Sequence, residues 1–319
     1  MSLTNMKVFN ETIQTATIET LGQMVEKFNA ASRGSIVLTS QGFEGDYRFE
    51  NFWAGIHAAQ RRVDRYATNA AATPTNLAQL QAIGVKIAGG FGPIQFEPGQ
   101  LAWVQKSPAE AVEVISRNMA EAIMKDQLNT AIAALVAAIE AQATATHDTN
   151  TGPISYIDLN LMHAKFGDSS SLIVADIVDG ATYHSLIGQN LANAQALFQS
   201  NGVLVVDILG KVMVVTDAPA LRETGTGADV KALGLVAGAA TVYDGSSLIT
   251  NIETTNGLER IVTTMQADYD FGLALKGYAW DTANGGKSPT SAELATGSNW
   301  DKVATDIKHT AGVITLAIV

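Results

Sequence analysis

Residues 107–152 read SPAEAVEVISRNMAEAIMKDQLNTAIAALVAAIEAQATATHDTNTG. Ser107 can cap a helix, Pro108 suits its first position, and Glu110 completes the S-x-x-E capping box. No glycine or proline then occurs until Gly152, and Val112, Ile115, Met119, Ile123, Ile132, Leu135 and Ile139 supply an apolar face. The spacing predicts one helix from 108 to about 145, roughly 55 Å long at 1.5 Å per residue. Globular helices average about 11 to 12 residues, so this one would act as a spine, with Thr144 to Thr151 as its polar exit.

Upstream, Ile18, Leu21, Val25 and Phe28 recur at the +3, +4, +3 spacing of an amphipathic helix, and the polar residues before them are expected as a flexible arm. Phe49, Phe52, Trp53 and Ile56 suggest a second, short helix, followed by the basic cluster Arg61, Arg62 and Arg65. From Thr73 to Gln105 come Pro74, Pro93, Pro98 and five glycines among short Val/Ile/Phe runs. That mixture predicts an extended, hairpin-like excursion with little core of its own, one that must lie on something else.

Downstream of Gly152 the pattern is mixed. Asp158 to Phe166 and Ala181 to Phe198 read as helices, whereas Ser171 to Ile177, Val203 to Val206 and Val212 to Val215 read as strands, the last two as a hairpin through residues 207–210. Between Ile261 and Trp280, Met265, Ala267, Tyr269, Phe271, Leu273 and Leu275 alternate with Gln266, Asp268, Asp270 and Lys276, the signature of half-buried strands. A Gly/Ser/Pro-rich loop from Thr282 to Asn299 precedes a last β-rich segment, Val303 to Val319.

The chain has 319 residues, 47% hydrophobic and 16% charged, with a net charge of −11. This excludes a disordered chain. Ordinary domains carry about 25% charged residues, so a chain at 16% is expected to bury much of its surface against other chains. Charge is uneven: residues 1–106 hold 9 basic and 8 acidic residues (+1), the remainder 11 and 23 (−12). The longest apolar run, Ala131 to Ile139, is far short of the roughly 20 residues that span a bilayer, and Met1 to Asn10 lacks a secretory h-region, so a cytoplasmic, membrane-free protein is expected. With no cysteine there are no disulfides, thiolate nucleophiles or Cys-bound metals. The acidic total argues against a duplex-DNA reader.

Motifs for chemistry are few. Gly167-Asp168-Ser169 and Asp306-Ile307-Lys308-His309 resemble the blocks of Ser/His/Asp esterases, with Ser169 as nucleophile and His309 as base. Their order and mid-chain position fit better a helix-ending Gly167 followed by a turn. Gly286-Lys287-Ser288 lacks the first glycine of a phosphate loop, since position 281 is Asp281, and Pro289 interrupts the helix that would follow. Gly225-Thr226-Gly227 lacks the third glycine of a dinucleotide fingerprint. His57, His147, His163, His184 and His309 show no metal-ligand spacing, and Asp268 with Asp270 reads as a solvated strand face. Arg61, Arg62 and Arg65 are expected to pair with an acidic partner surface. No catalytic, cofactor or metal site is expected; a capped spine, an arm and an extended loop point to an assembling protein.

The chain as a whole resembles the major capsid proteins of tailed bacteriophages with the Hong Kong 97-type fold. The resemblance is carried by Phe166-Gly167-Asp168 leading into Ser171-Leu172-Ile173-Val174-Ala175, by Tyr183-His184-Ser185-Leu186, by Val212-Met213-Val214-Val215-Thr216-Asp217, and most specifically by Ser288 to Trp300, SPTSAELATGSNW. It implies an α+β chain with an N-terminal arm (1–33), an extended loop (34–106), a spine helix and peripheral domain (107–165), an axial domain with connecting strands (166–285) and a C-terminal return to the peripheral domain (286–319). It also implies a subunit forming pentamers and hexamers of an icosahedral or prolate head around double-stranded DNA, bound without sequence specificity. Such a shell is assembled in the host cytoplasm with a separate scaffolding protein, a portal and decoration proteins. Arg61, Arg62, Arg65, Phe52, Trp53 and Trp300 are the expected inter-subunit contacts. A tail tube or sheath protein is the competing structural reading.

Overall fold

The computed structural model describes residues 3–54, 60–68, 71, 73–74, 76–96, 108–149, 152–197, 211–223, 229–256 and 261–318. The expected spine is present as a single 33-residue helix, which is about 50 Å of rod. In chain order the described elements are α1 (Leu3–Ala31), β1 (Ile36–Gly42), β2 (Tyr47–Trp53), β3 (Gln79–Phe96), α2 (Pro108–Glu140), β4 (Thr146–Asp148), α3 (Tyr156–Ala164), β5 (Ile173–Val178) and α4 (Gly180–Leu197). They continue with β6 (Val212–Val215), β7 (Asp229–Val236), β8 (Ala240–Thr255), β9 (Val262–Leu275), β10 (Tyr278–Trp280), α5 (Ser291–Leu294), β11 (Trp300–Lys302) and β12 (Gly312–Ile318).

Among the described residues the strands make two five-stranded sheets and a two-stranded ribbon. The first sheet runs β1-β8-β9-β3-β2, the second β4-β12-β7-β5-β6, and β10 pairs with β11. The C-terminal half of α2, an alanine-rich stretch in which Ala131, Ile132, Leu135, Ala138 and Ile139 are buried, joins both sheets in one core with Phe271 and Leu273 of β9 and Val313 and Ile314 of β12. Small side chains let neighbours approach closely: a Cβ at Gly297 would stand 2.8 Å from the carbonyl oxygen of Ala137. By length and composition alone Glu113–Glu140 could cross a membrane, yet 56% of its most apolar window is buried within the protein. Its hydropathy is that of a core element.

Several expectations need correction. The amphipathic stripe at Ile18 to Phe28 does form a helix, but α1 begins at Leu3, so the flexible arm expected before it is helical, and it packs along α2 of its own chain. Phe49, Phe52 and Trp53 belong to strand β2, paired from Tyr47↔Val85 to Trp53↔Gln79. Four aromatics within seven residues, Tyr47 among them, favour a pleated ladder over a helix, and the helical spacing of Phe49, Phe52 and Trp53 is coincidental. The stretch 73–105, expected to lack a core, contributes Val85 and Ile87, which are 0% and 6% exposed, because β3 pairs with β9 from Val85 to Phe96. Within 166–285, β5, β6 and β7 lie in the second sheet and β8 and β9 in the first, as strands connecting the two. The strand expected at 203–206, the 225–227 glycines, Ser107, Ile56 and His57 lie outside the described residues.

Candidate inter-subunit surface

Strand β3 is 18 residues long, but β9 accompanies it only from Val85 onward. Residues 79–84 therefore pair with β2 alone, and this end of the two-stranded β2–β3 ribbon extends beyond the β9 ladder. One face of this hairpin carries Phe49 (55% exposed) and Trp53 (64% exposed), with Asn51 accepting a 3.1 Å hydrogen bond from Gln81 between them. Alternation puts Arg48, Glu50 and Phe52 on the other face.

That second face lines a groove of ≈ 480 Å³ together with Tyr243, Lys276, Tyr278 and His309. Arg48 is already engaged there: its Nε lies 3.0 Å from Glu50 Oε1 and its guanidinium stands 4.2 Å above the Tyr243 ring. Burial and the Glu50 carboxylate raise the Tyr243 phenol above its usual range, while burial pushes Tyr278 up to about 12. The turn leading into β2 is pinned in two places. Phe43 lies flat on Gly272, where a Cβ would come within 2.0 Å of its ring, and Asp46 accepts from Lys287 at 2.7 Å.

Arg61, Arg62 and Arg65 follow the hairpin's first strand, are exposed, and make no ion pair among the described residues. Phe52 is half-buried and Trp53 exposed. Trp300 is different: it is 2% exposed and meets Trp280 edge to face at 4.9 Å. It is a core residue and offers nothing to a neighbouring chain. The SPTSAELATGSNW segment closes on itself through a capping box between Thr290 and Glu293, which turns the chain back and buries the indole.

The esterase blocks do come together, through an ion pair instead of a triad. Gly167 takes φ +55° and starts a 3₁₀ turn to Leu172, as the turn reading expected. Lys308 Nζ then bonds Asp168 Oδ1, holding that carboxyl below its usual range. Ser169 Oγ donates to Asp168 at 3.3 Å, and no hydrogen bond joins Ser169 to His309 among the described residues. Gly286-Lys287-Ser288 is likewise a turn, with Gly286 accepting the Trp280 indole N–H at 2.9 Å. Asp270 pairs with Lys86 at 2.6 Å and Asp268 accepts from Gln266. Among the described residues no three His, Asp or Glu side chains gather as metal ligands.

Two polar contacts were invisible in the sequence. His163 Nε2 lies 2.7 Å from Asp176 Oδ1, both buried, fastening α3 to β5. Tyr269 donates to Asp126 Oδ2 at 2.6 Å, fastening β9 to α2. The partners lie 13 and 143 residues apart, and no local spacing announces them.

A family model described as Major capsid protein 13-like (Gp13-like) matches residues 5–314. No curated protein matches the chain. Among solved structures, the chain is similar to the Cyanophage Pam1 capsid asymmetric unit, with TM-score 0.55, 12% identity, and 89% of this chain and 88% of that chain covered. It is also similar to a chain of Mycobacterium phage Bobi, with TM-score 0.52, 11% identity, and 88% of each chain covered. A chain of Mycobacterium phage Cain gives 0.52 at 13% identity, with 85% and 89% covered. At such identities the likeness is one of fold, and it is the tailed-phage capsid fold that the resemblance implied. A tail tube or sheath is not favoured. With nearly its whole length matched, the chain belongs to the Gp13-like family and is a major capsid protein.

Proposed function

We propose that copies of this chain close into a shell of pentamers and hexamers around double-stranded DNA, held without base-specific contacts. In this reading α2 and the first sheet form the peripheral domain, and the second sheet with α3 and α4 forms the axial domain that gathers at the capsomer centre. The observation that carries it is the hairpin of β2 and the start of β3. It presents Phe49 and Trp53 together on one solvent-facing side, the kind of apolar surface that serves protein contacts, and Arg61, Arg62 and Arg65 follow it unpaired among the described residues. The hairpin lies on a neighbouring subunit, and the arginines face that neighbour's acidic surface. A separate scaffolding protein, a portal and decoration proteins complete a head built in the host cytoplasm. The net charge of −11 suits an inner wall that does not grip packaged DNA.

Negative-stain microscopy of the purified chain, alone at high concentration and with its scaffold, tests this. Closed, roughly isometric or prolate particles are expected. Open tubes, or a monomer under every condition, would refute it.

A further inference from the structure

The first sheet has two edges, and they are treated differently. Strand β1 reads IVLTSQG: rich in β-branched residues, without charge and without proline. Such a segment at a sheet edge is a template for another chain, and it lacks the lysines and prolines that usually blunt one. A side chain of the preceding helix, Asn29, bonds the backbone of this strand from outside it. Leu38 N–H donates to Asn29 Oδ1 at 3.0 Å, and Leu38 C=O accepts from Asn29 Nδ2 at 2.7 Å. In a parallel strand one residue sends its N–H and C=O to the same side. The Asn29 amide thus meets Leu38 as an adjoining strand would, on the side away from β8.

The placement of Asn29 is fixed by the end of α1. Its own carbonyl accepts from Gly34 N–H at 3.1 Å, and Ala30 C=O accepts from Arg33 N–H at 3.4 Å, the crossed pair of a Schellman terminus. Arg33 and Gly34 take φ of 51° and 68°, so the chain reverses and β1 runs back beside the helix. At the opposite edge, among the described residues, no side chain bonds the backbone of β2 in this way.

We propose that Asn29 stands in for a neighbouring strand and closes the β1 edge to strand addition by a second copy of this chain, so that copies cannot polymerise through it. The shell readout below rests on the proposed function, but the aggregation readout does not. If wild-type chains form no shells, that reading fails while this one is still decided by the variants.

The test compares wild type, Asn29→Ala, Asn29→Asp and the double variant Asn29→Ala with Ser40→Lys. Ser40 is exposed on β1, and a lysine there supplies the edge charge that the strand lacks. Folding is followed by circular dichroism, and products by light scattering and negative stain across a concentration series. Asn29→Ala should fold, melt at a lower temperature and give a severalfold rise in concentration-dependent, non-closing aggregate at the expense of shells. Asn29→Asp keeps an acceptor for Leu38 N–H and should fall between. Ser40→Lys should return aggregation to the wild-type level while leaving the lowered melting temperature unchanged, which a purely structural role would not permit. Folded Asn29→Ala that aggregates no more than wild type overturns the proposal. So does an aggregating or insoluble Asn29→Ala that Ser40→Lys fails to bring back.

Discussion

Trp280 and Trp300 meet edge to face, and each donates its indole N–H to a carbonyl of the segment between them, Gly286 at 2.9 Å and Leu294 at 3.0 Å. Removing either ring leaves a cavity and an orphaned carbonyl, so Trp280→Ala or Trp300→Ala should cost about 3 to 5 kcal/mol in denaturant unfolding. Trp53→Ala, on the exposed hairpin face, should change subunit stability by no more than about 0.5 kcal/mol. Trp300 lies in the core and not at the expected contact because a capping box folds its run inward, and that depends on the Thr290 and Glu293 geometry, which composition does not reveal. The buried tyrosines give a pH signature. Burial holds the folded-state pKa of Tyr278 at about 12, and Tyr269 is raised by burial and by Asp126. Above about pH 10 the unfolded chain loses these protons and the folded chain keeps them, so stability present below pH 10 should decline as pH rises toward 12. Tyr278→Phe should flatten that decline, as read from unfolding midpoints across the series.

At the scale of elements, long periods were readable and short ones were not. The β9 alternation held: Ala267, Tyr269, Phe271, Leu273 and Leu275 are buried, while Gln266 and Asp268 are exposed. α2 was legible because an unbroken stretch without Gly or Pro admits few alternatives, and it ends at Glu140, within a few residues of the expected 145. β2 was not, since seven residues can satisfy a helical or a pleated period equally, and its partner at residues 79–85 decides between them. α2 also gives the sharpest test. Ala133 sits within its apolar run, so Ala133→Pro removes an internal hydrogen bond and clashes with the preceding turn, costing about 3 kcal/mol or more. Loss of soluble protein or of helical circular dichroism is expected; a variant of unchanged helicity and stability would contradict a continuous α2.

For the whole molecule, the charge split of +1 against −12 matters only if subunits meet. Arg61→Glu with Arg62→Glu should leave the subunit folded, since both side chains are exposed, yet lower the yield of shells sharply. A single exposed pair is worth about 0 to 1 kcal/mol, but a shell repeats it in every subunit. High salt should weaken wild-type assembly for the same reason. Normal shells from the double variant would show these arginines to be merely solvated. Strand β3 adds a mechanical consequence. One end of it forms the hairpin with β2, and the other end pairs with β9 as far as Phe96↔Thr263. Were a neighbour to hold this hairpin, as proposed, a pull along the strand axis would load the ladder in shear: its rungs would share the strain at once and not unzip one by one. The end beyond β9 would then be the free end of a beam anchored along the sheet, and traction there would be spread through the subunit's interior.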